Sequence, residues 1–534
     1  MFYSNLALNN IKKSKQTYIP YGIISIFIVS ILYMMVSISQ NKEAIEISVT
    51  LRIVLIWGAI LTGIFTVIFL FYINSFLMKK RKTEFGIYNV LGLNKVHIIK
   101  IIFLEKLILG LGTIGIGVLL GVIFEKLLFL VLLKLVKVKA VLGFYVLYKV
   151  VFIIIAFFLV LNILMFLWDA FEIKRSKTIE LLNSKKSGEK EPKVQILWTL
   201  IGILCLGMGY YISVTVENPM TAMSEFMGAV ILVMIGTYTL FMSGSIAILK
   251  FLKNRKSIYY KTNNFISISV MIYRMKRNAV GLANICILST AVIIAVSTTL
   301  SLYMGSEQYF NEAYKGDINI TLNEVNDSQM KIVNKLLENI DIEKNSLIET
   351  PESSSFTDSL SYNISFNLNN KADISMISEN LKKELSKNNL KYILKEKEAD
   401  RRDFDSVYGG FLFIGILIGI VFLAATILII YYKQISEGYD DKERFEIMKK
   451  VGLDDNEIKG IIKKQVSMVF LSPVIVASIH LLFAYPSIEK MLYMLNLRDI
   501  ELFKIVIIGT VLVFLAVYIL VYQITSRVYY KIVK

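Results

Sequence analysis

The chain has 534 residues, 55% of them hydrophobic and only 19% charged, with a mean hydropathy of +0.60 and a formal charge of +17. Soluble globular chains are about 45–50% apolar and about 25% charged, so this composition excludes a soluble enzyme, a disordered chain and a secreted disulfide scaffold. The two cysteines, Cys205 and Cys286, lie in apolar runs and make no disulfide framework, and the two histidines, His97 and His480, are far apart in the chain.

A bilayer core about 30 Å thick takes roughly 20 apolar residues per helical span. Ten stretches qualify, at 17–38, 51–73, 107–124, 147–168, 196–216, 226–249, 283–304, 407–432, 466–485 and 503–525. Lysine and arginine concentrate before the first span and after spans two, four, six, eight and ten: Lys79–Lys82, Lys174 and Arg175, Arg274–Arg277 and Lys442–Lys450 are examples. By the positive-inside rule these segments and both termini are cytoplasmic, in a multi-pass membrane protein. Span one is followed by no small-residue cleavage pattern and reads as an anchor. This topology also accounts for the net positive charge, without nucleic acid as a partner.

One segment on the opposite side is long and polar. Residues 306–405 hold 19 acidic against 13 basic residues. Alternation predicts strands at Asp317–Val325, Asn345–Glu349, Asp358–Leu368 and Leu390–Leu394. Helical spacing predicts helices at Ser328–Ile340 and Asp373–Lys387. The resulting order, β-α-β-β-α-β, is that of a split βαβ sandwich.

The chain also repeats itself. Lys82-Thr83-Glu84-Phe85-Gly86-Ile87-Tyr88 leading to Leu91-Gly92-Leu93 returns, 360 residues later, as Lys442-Glu443-Arg444-Phe445-Glu446-Ile447-Met448 leading to Val451-Gly452-Leu453. Glu105 and Gln465 keep the same offset. Glu125–Leu128 matches Glu489–Leu492, and the basic segment Leu8–Lys15 matches Val270–Arg277. Spans 1–4 and 7–10 are therefore expected to be two copies of one four-helix unit, with the polar insert in the second copy and spans five and six as the link. In each copy the segment after the second span carries Phe85, Ile87 and Tyr88, or Phe445, Ile447 and Met448, then a glycine able to close a helix at positive φ. Such an element either lies on the lipid surface or docks on a cytoplasmic partner; repetition and the acidic Glu84 and Glu446 favour docking.

Other motifs carry less chemistry. Gly110, Gly112 and Gly115 fit a dinucleotide fingerprint, but inside an apolar span they read as helix packing. No Asp, Glu, Lys or Arg falls deep in a span, which argues against a secondary transporter or an intramembrane enzyme. His480 reads as a packed or interfacial residue, and Asn162 as one that bonds across helices. At the outer ends of the third and fourth spans of the two copies lie Lys126, Lys134, Lys137, Lys139 and Lys149, and Lys490, Arg498 and Lys504. They suit snorkelling toward anionic headgroups, or capture of a lipid pyrophosphate or a lipid-bound peptide.

Two four-span units, each with an E-F-G-I-Y-x-x-L-G-L-like loop, and a large insert between spans seven and eight resemble the FtsX-like (MacB-type) ABC transporter permeases. The likeness is strongest to the bacitracin/lantibiotic-resistance (Bce-type) permeases of Gram-positive bacteria, and Ile173–Leu182 resembles that family's segment after the first unit. The resemblance implies an all-α polytopic membrane protein with ten transmembrane helices. Its parts would be a first FtsX-like module at 1–182, a linker with two spans at 183–255, an amphipathic segment and span seven at 256–305, a small α+β extracellular domain at 306–405, and the rest of the second module at 406–534. It further implies a permease without its own ATPase, and no G-x-x-x-x-G-K-[ST] loop occurs. ATP and Mg would be bound by two copies of a partner ABC ATPase subunit. ATPase coupling would fall to Glu84, Phe85, Ile87, Tyr88, Gly92 and Leu93 and to Phe445, Glu446, Ile447, Gly452 and Leu453. A sensor histidine kinase, membrane lipids and a peptide antibiotic or lipid carrier are the other partners implied. The function implied, in a bacterial plasma membrane, is coupling of the partner's ATP hydrolysis to removal or export of antimicrobial peptides of the bacitracin/lantibiotic type or to release of their lipid targets. A non-transporting sensor or mechanotransmitter subunit signalling to a histidine kinase or a cell-wall hydrolase is the alternative.

Overall fold

The structure is a computed structural model that describes residues 2–42, 47–138, 147–176, 195–260, 262–323, 327–338, 340–343, 346–353, 360–369, 374–388, 390–450, 452, 454–495, 497 and 499–533. Its helices are α1 (Phe2–Lys13), α2 (Lys15–Ser39), α3 (Val49–Val90), α4 (Lys95–Leu135), α5 (Tyr148–Arg175), α6 (Ile196–Thr215), α7 (Pro219–Thr239), α8 (Ser245–Asn254), the short α9 (Lys256–Tyr259) and α10 (Thr262–Ala313). A five-residue π-turn, Leu240–Gly244, joins α7 to α8. A sheet domain follows, and then α13 (Lys397–Lys450), α14 (Asp455–Met494) and α15 (Ile500–Val533).

Among the described residues ten helical stretches are long and apolar enough to cross a membrane, and they coincide with the ten expected spans, eight of which they contain whole and two to within one residue. Lipid offers no hydrogen bonds, so an apolar run there satisfies its backbone internally as a helix. The helices run well past the apolar windows, because polar residues continue them. At 42, 41, 52 and 54 residues, α3, α4, α10 and α13 are far longer than a bilayer requires. The amphipathic segment before span seven is therefore continuous with that span in α10. Its counterpart before span one is interrupted at Ser14 (φ −94°, ψ 38°), between α1 and α2.

Burial, rather than hydropathy, shows how each helix faces its neighbours. In α5 the buried residues are Val150, Ile154, Phe158, Leu161, Met165, Asp169 and Ile173, a stripe at helical spacing. Phe152, Val160, Ile163 and Leu167, equally apolar, point outward as a lipid-facing surface does. Between α4 and α2 the backbones approach closely. A Cβ at Gly117 would lie 2.6 Å from Val29 Cβ, and one at Gly121 2.6 Å from Tyr33 Cδ1, which is the packing role expected of this glycine-rich span. Asn162 donates to its own helix, at Phe158 O (2.9 Å), rather than across to another.

α3 and α13 lie side by side and parallel. Ser48 contacts Asp403, Phe65 meets Phe422 edge to face, Phe76 meets Tyr432, and Lys80 sits over Tyr439, at a near-constant sequence separation. The tips that follow α3 and α13 thus emerge at the same end of the bundle. α6 and α7 pack on α14, where His480 is held between Tyr210 Oη (2.6 Å) and Thr237 Oγ1 (2.9 Å).

At the other end stands the sheet domain: β1 (Ile318–Asn323), α11 (Asp327–Glu338), β2 (Ile348–Ser353), β3 (Leu360–Phe366), α12 (Ile374–Lys387) and β4 (Lys391–Glu396). The strand order is β2-β3-β1-β4, every pair antiparallel, with Ile320 opposite both Ile364 and Leu394. Ile318, Ile320, Leu322, Ile364 and Phe366 bury one face under Val333 and Leu337 of α11 and Leu381 and Leu385 of α12. The expected β-α-β-β-α-β order is present. β2 lies several residues beyond its expected position, because it is an edge strand of polar residues whose place is set by pairing with β3 rather than by alternation.

Candidate functional site: two helix elbows and the buried charges beneath them

Each tip is a helical hairpin turned by a glycine. Gly92 (φ 94°) and Gly452 (φ 105°) occupy the left-handed region that favours glycine, ending α3 and α13 respectively. No separate short helix precedes either glycine; the coupling segment expected after each second span is the continuation of that span.

The candidate coupling residues divide by exposure. Phe85 and Phe445 are 0% and 3% exposed and hold each elbow to the bundle rather than presenting a surface. Phe85 packs with Met78, Ile98, Ile102 and Ile173, and Tyr88 and Leu93 lie against the same cluster. Tyr88 also donates to Asn10 Oδ1 (3.0 Å), and Glu84 accepts from Arg81 Nε (3.0 Å). Ile87 and Ile447 are exposed, with Val90 and Leu91 beside the first and Glu446 beside the second. The elbow faces open to a partner are thus built around Ile87 and Ile447. Leu453 lies outside the described residues.

Beneath each elbow is a buried polar cluster. Under the first, Arg81 of α3 pairs with Glu105 of α4 through both guanidinium nitrogens, Nη2 to Oε1 at 2.9 Å and Nη1 to Oε2. Both are nearly inaccessible. Asn10 of α1 (2.8 Å) and Tyr18 of α2 (3.2 Å) donate to the same carboxylate. The next residue of α4, Lys106, pairs with Asp169 of α5 (2.6 Å), which also accepts from Asn74 Nδ2 (2.8 Å). Lys82 pairs with Glu172 (2.6 Å), and Lys95 Nζ caps the end of α5 at Lys174 O and Ser176 O. The first elbow is fastened to α4 and α5.

Under the second elbow the charges are rearranged. Asp441 stands 360 residues after Arg81, and Gln465 360 after Glu105. The cation comes instead from Arg274 of α10. It donates to Gln465 Oε1 (2.9 Å), to Asp441 Oδ2 and to Tyr529 Oη (3.3 Å), and lies 3.2 Å from Glu437. Tyr529 also donates to Asp441, and Asn278 of α10 to Glu437. Arg274, read from sequence as a topology-setting loop residue, is among the largest fully buried side chains. Nor is the interior free of charge: Arg81, Glu105, Glu125, Asp169, Arg274, Glu437 and Asp441 are all buried between helices, just beyond the apolar windows that define the spans. Position 81 against position 441 was the available signal, since it shares the repeat's offset with opposite sign.

Most of the described outer-end cations fall within the last or first turns of their helices, with Lys126 deeper in. Lys126 and Lys134 are on α4, Lys149 on α5, Lys490 on α14 and Lys504 on α15. Lys137, at φ 59°, joins Glu307 of α10 (2.7 Å) and Asp405 of α13 (3.3 Å); Arg401 bridges the same two carboxylates. Lys504 pairs with Glu501 (2.6 Å). Lys139 and Arg498 lie outside the described residues, as do Ile179–Leu182 of the segment after the first unit.

These helices and elbows define a class, that of an all-α multi-pass membrane protein. Residues 56–177, which take in the first elbow and its ion pairs, match the family model described as FtsX-like permease C-terminal. The chain is similar to three proteins of Bacillus subtilis (strain 168): the uncharacterized ABC transporter permease YvcS (30% identity over 302 residues, 56% of this chain and 47% of the relative), the bacitracin export permease protein BceB (27% over 354 residues, 63% and 54%) and the ABC transporter permease protein YxdM (24% over 585 aligned positions, 91% and 93%). The matched stretches thus span about half the length of the first two relatives and nearly all of the third.

Proposed function

We propose that this chain is the membrane subunit of an ABC transporter, driven by a separate ATPase. The observation that carries the reading is the pair of glycine-turned elbows at one end of the bundle, each presenting an isoleucine, Ile87 or Ile447, above a buried ionic foot. Two equivalent protrusions suit a pair of identical motor subunits. In this reading 1–182 and 256–534 are two modules, the elbow end and both termini are cytoplasmic, and the sheet domain is extracellular. Each ATPase copy binds ATP and Mg, and this chain supplies no hydrolysis of its own. Closure of the ATPase pair moves the elbows, and the long helices carry that movement to the sheet domain. The similarity to a bacitracin export permease supports an antimicrobial peptide or its lipid carrier as the substrate, removed from the outer face of the membrane or exported across it. A sensor kinase as a further partner rests on resemblance alone.

Co-expression with a candidate ABC ATPase tests this. Wild type is expected to co-purify with two ATPase copies, and Ile87→Asp with Ile447→Asp together to lose them while still inserting in the membrane. Retention of the ATPase by the double variant would count against the elbows. Unchanged susceptibility of a deletion strain to all cell-wall-active peptides would count against the substrate class.

A further inference from the structure

The two ionic feet are built with opposite polarity, and we infer that this makes the elbows mechanically unequal: the second drives the sheet domain, through Arg274, while the first is a fixed support. The inference rests on the ABC-coupling reading above.

In the first foot the ion pair closes within the hairpin, Arg81 of α3 on Glu105 of α4. Among the described residues, helices α1 and α2 give that carboxylate the neutral donors Asn10 and Tyr18. The first elbow's other ionic ties run to α5, through Lys82–Glu172. In the second foot the corresponding hairpin positions are Asp441 and the uncharged Gln465, so the hairpin cannot close an ion pair between those two positions. Its charge is met by Arg274, and α10 becomes ionically bound to α13 at both Glu437 and Asp441. A buried carboxylate deprived of its cation is far costlier than a lost neutral hydrogen bond, so the strongest tether of each hairpin is the ionic one.

That tether leads to different places. Helix α10 runs unbroken from Thr262 to Ala313, four residues short of β1, and α13 begins at Lys397, the residue after β4. Arg274 therefore joins, at the elbow end, the two helices that carry the sheet domain at the other end. A push on the second elbow moves both as one body. In the first set the corresponding helix is interrupted at Ser14, its outer end carries no domain, and its elbow is tied to α4 and α5 instead. Arg274 is a positioning residue in this scheme, acting through α10 and α13.

The experiment uses the full chain with its ATPase in nanodiscs, with fluorophores at the exposed positions 148 (α5) and 379 (α12) to report movement of the sheet domain against the first helical set. Wild type should show a change in energy transfer when ATP is trapped. Arg274→Gln is expected to keep ATP hydrolysis within about twofold but to reduce the population of the moved state about tenfold, the size of a typical coupling between sites. Arg274→Lys should restore part of it. Arg81→Gln combined with Glu105→Gln should leave the movement in place. A third variant guards against simple misfolding: Arg274→Gln, Asp441→Arg and Gln465→Glu together rebuild the first foot's pair inside the second hairpin, and should fold, hydrolyse ATP and leave the sheet domain still. Full movement in that triple variant, or equal loss in the Arg81/Glu105 variant, overturns the inference. A wild-type chain that shows no ATP-dependent movement at all overturns the coupling reading itself, and is recognisable because it needs no substitution.

Discussion

Helix α13 enters ion pairs at both of its ends, and the two ends are unlike. At the elbow end Asp441 and Glu437 meet Arg274 with side chains that are 1–4% exposed. At the sheet end Arg401 and Asp405 share a collar with Lys137 and Glu307, whose side chains are 42% and 51% exposed. A buried pair holds geometry strongly, because losing one partner strands a charge away from water. An exposed pair exchanges readily with water and salt. The same helix is thus fixed at one end and reversibly clasped at the other, and among the described residues the cation that brings the first four-helix unit into the clasp is Lys137.

Four measurements test that contrast, in descending order of expected effect. Glu105→Ala removes the buried carboxylate partner of Arg81 and leaves it the half-exposed Glu84, so it should cost about 3 kcal/mol or more, read as a large drop in thermal stability in detergent. Gln465→Ala, at the matching place in the repeat, removes a neutral acceptor while Asp441 and Glu437 still serve Arg274. It should cost about 1–3 kcal/mol, and parity with Glu105→Ala would break the comparison. Glu307→Gln at the collar should cost no more than about 1 kcal/mol and less at high salt, so a salt-independent loss would show that the collar is not solvent-screened. The smallest effect belongs to Glu396 of β4. Burial alone would raise its pKa, but Ser378 Oγ (2.6 Å) and Lys382 Nζ (3.0 Å) donate to it and hold it below the ordinary carboxylate value. A depressed pKa stabilises the folded sheet domain above the unfolded carboxylate's pKa, and that contribution is lost as pH falls through the lowered one. Hydrogen exchange in β4 between neutral pH and the acid range should show the loss, and Glu396→Gln should abolish it, within about 1 kcal/mol after solvent screening.

Much of the architecture was legible because lipid imposes a blunt rule: an apolar run of sufficient length is a helix. The glycines at 92 and 452 were legible for a similar reason, since few other residues end a helix at positive φ. The helix extensions were not, because the polar residues that continue α3, α10 and α13 carry no period that an apolar window detects. Phe85 and Phe445 were read as part of a docking face and are instead the buried roots of the elbows, because a helix hairpin hides its aromatic side against α4 or α14 and leaves isoleucine outward. Arg274 looked like one more basic loop residue. Burial and long-range contacts separate it from Lys250 or Arg255, and the contact with Asp441 joins positions 167 residues apart. Glu105 and Gln465 were visible as a repeated position, but their change from charged to neutral acquires meaning only beside the sign change at 81 and 441.

The sheet domain has almost no slack in its mounting: Glu396 ends β4 and Lys397 begins α13. From Arg274 to Ala313 the helix is about 58 Å long at 1.5 Å per residue. A tilt of about 5° at its foot therefore displaces the far end by about 5 Å, roughly one helical turn. Without a loose tether to absorb it, even a modest rocking inside the bilayer becomes a stroke of molecular size above it, much as an oar magnifies the hand.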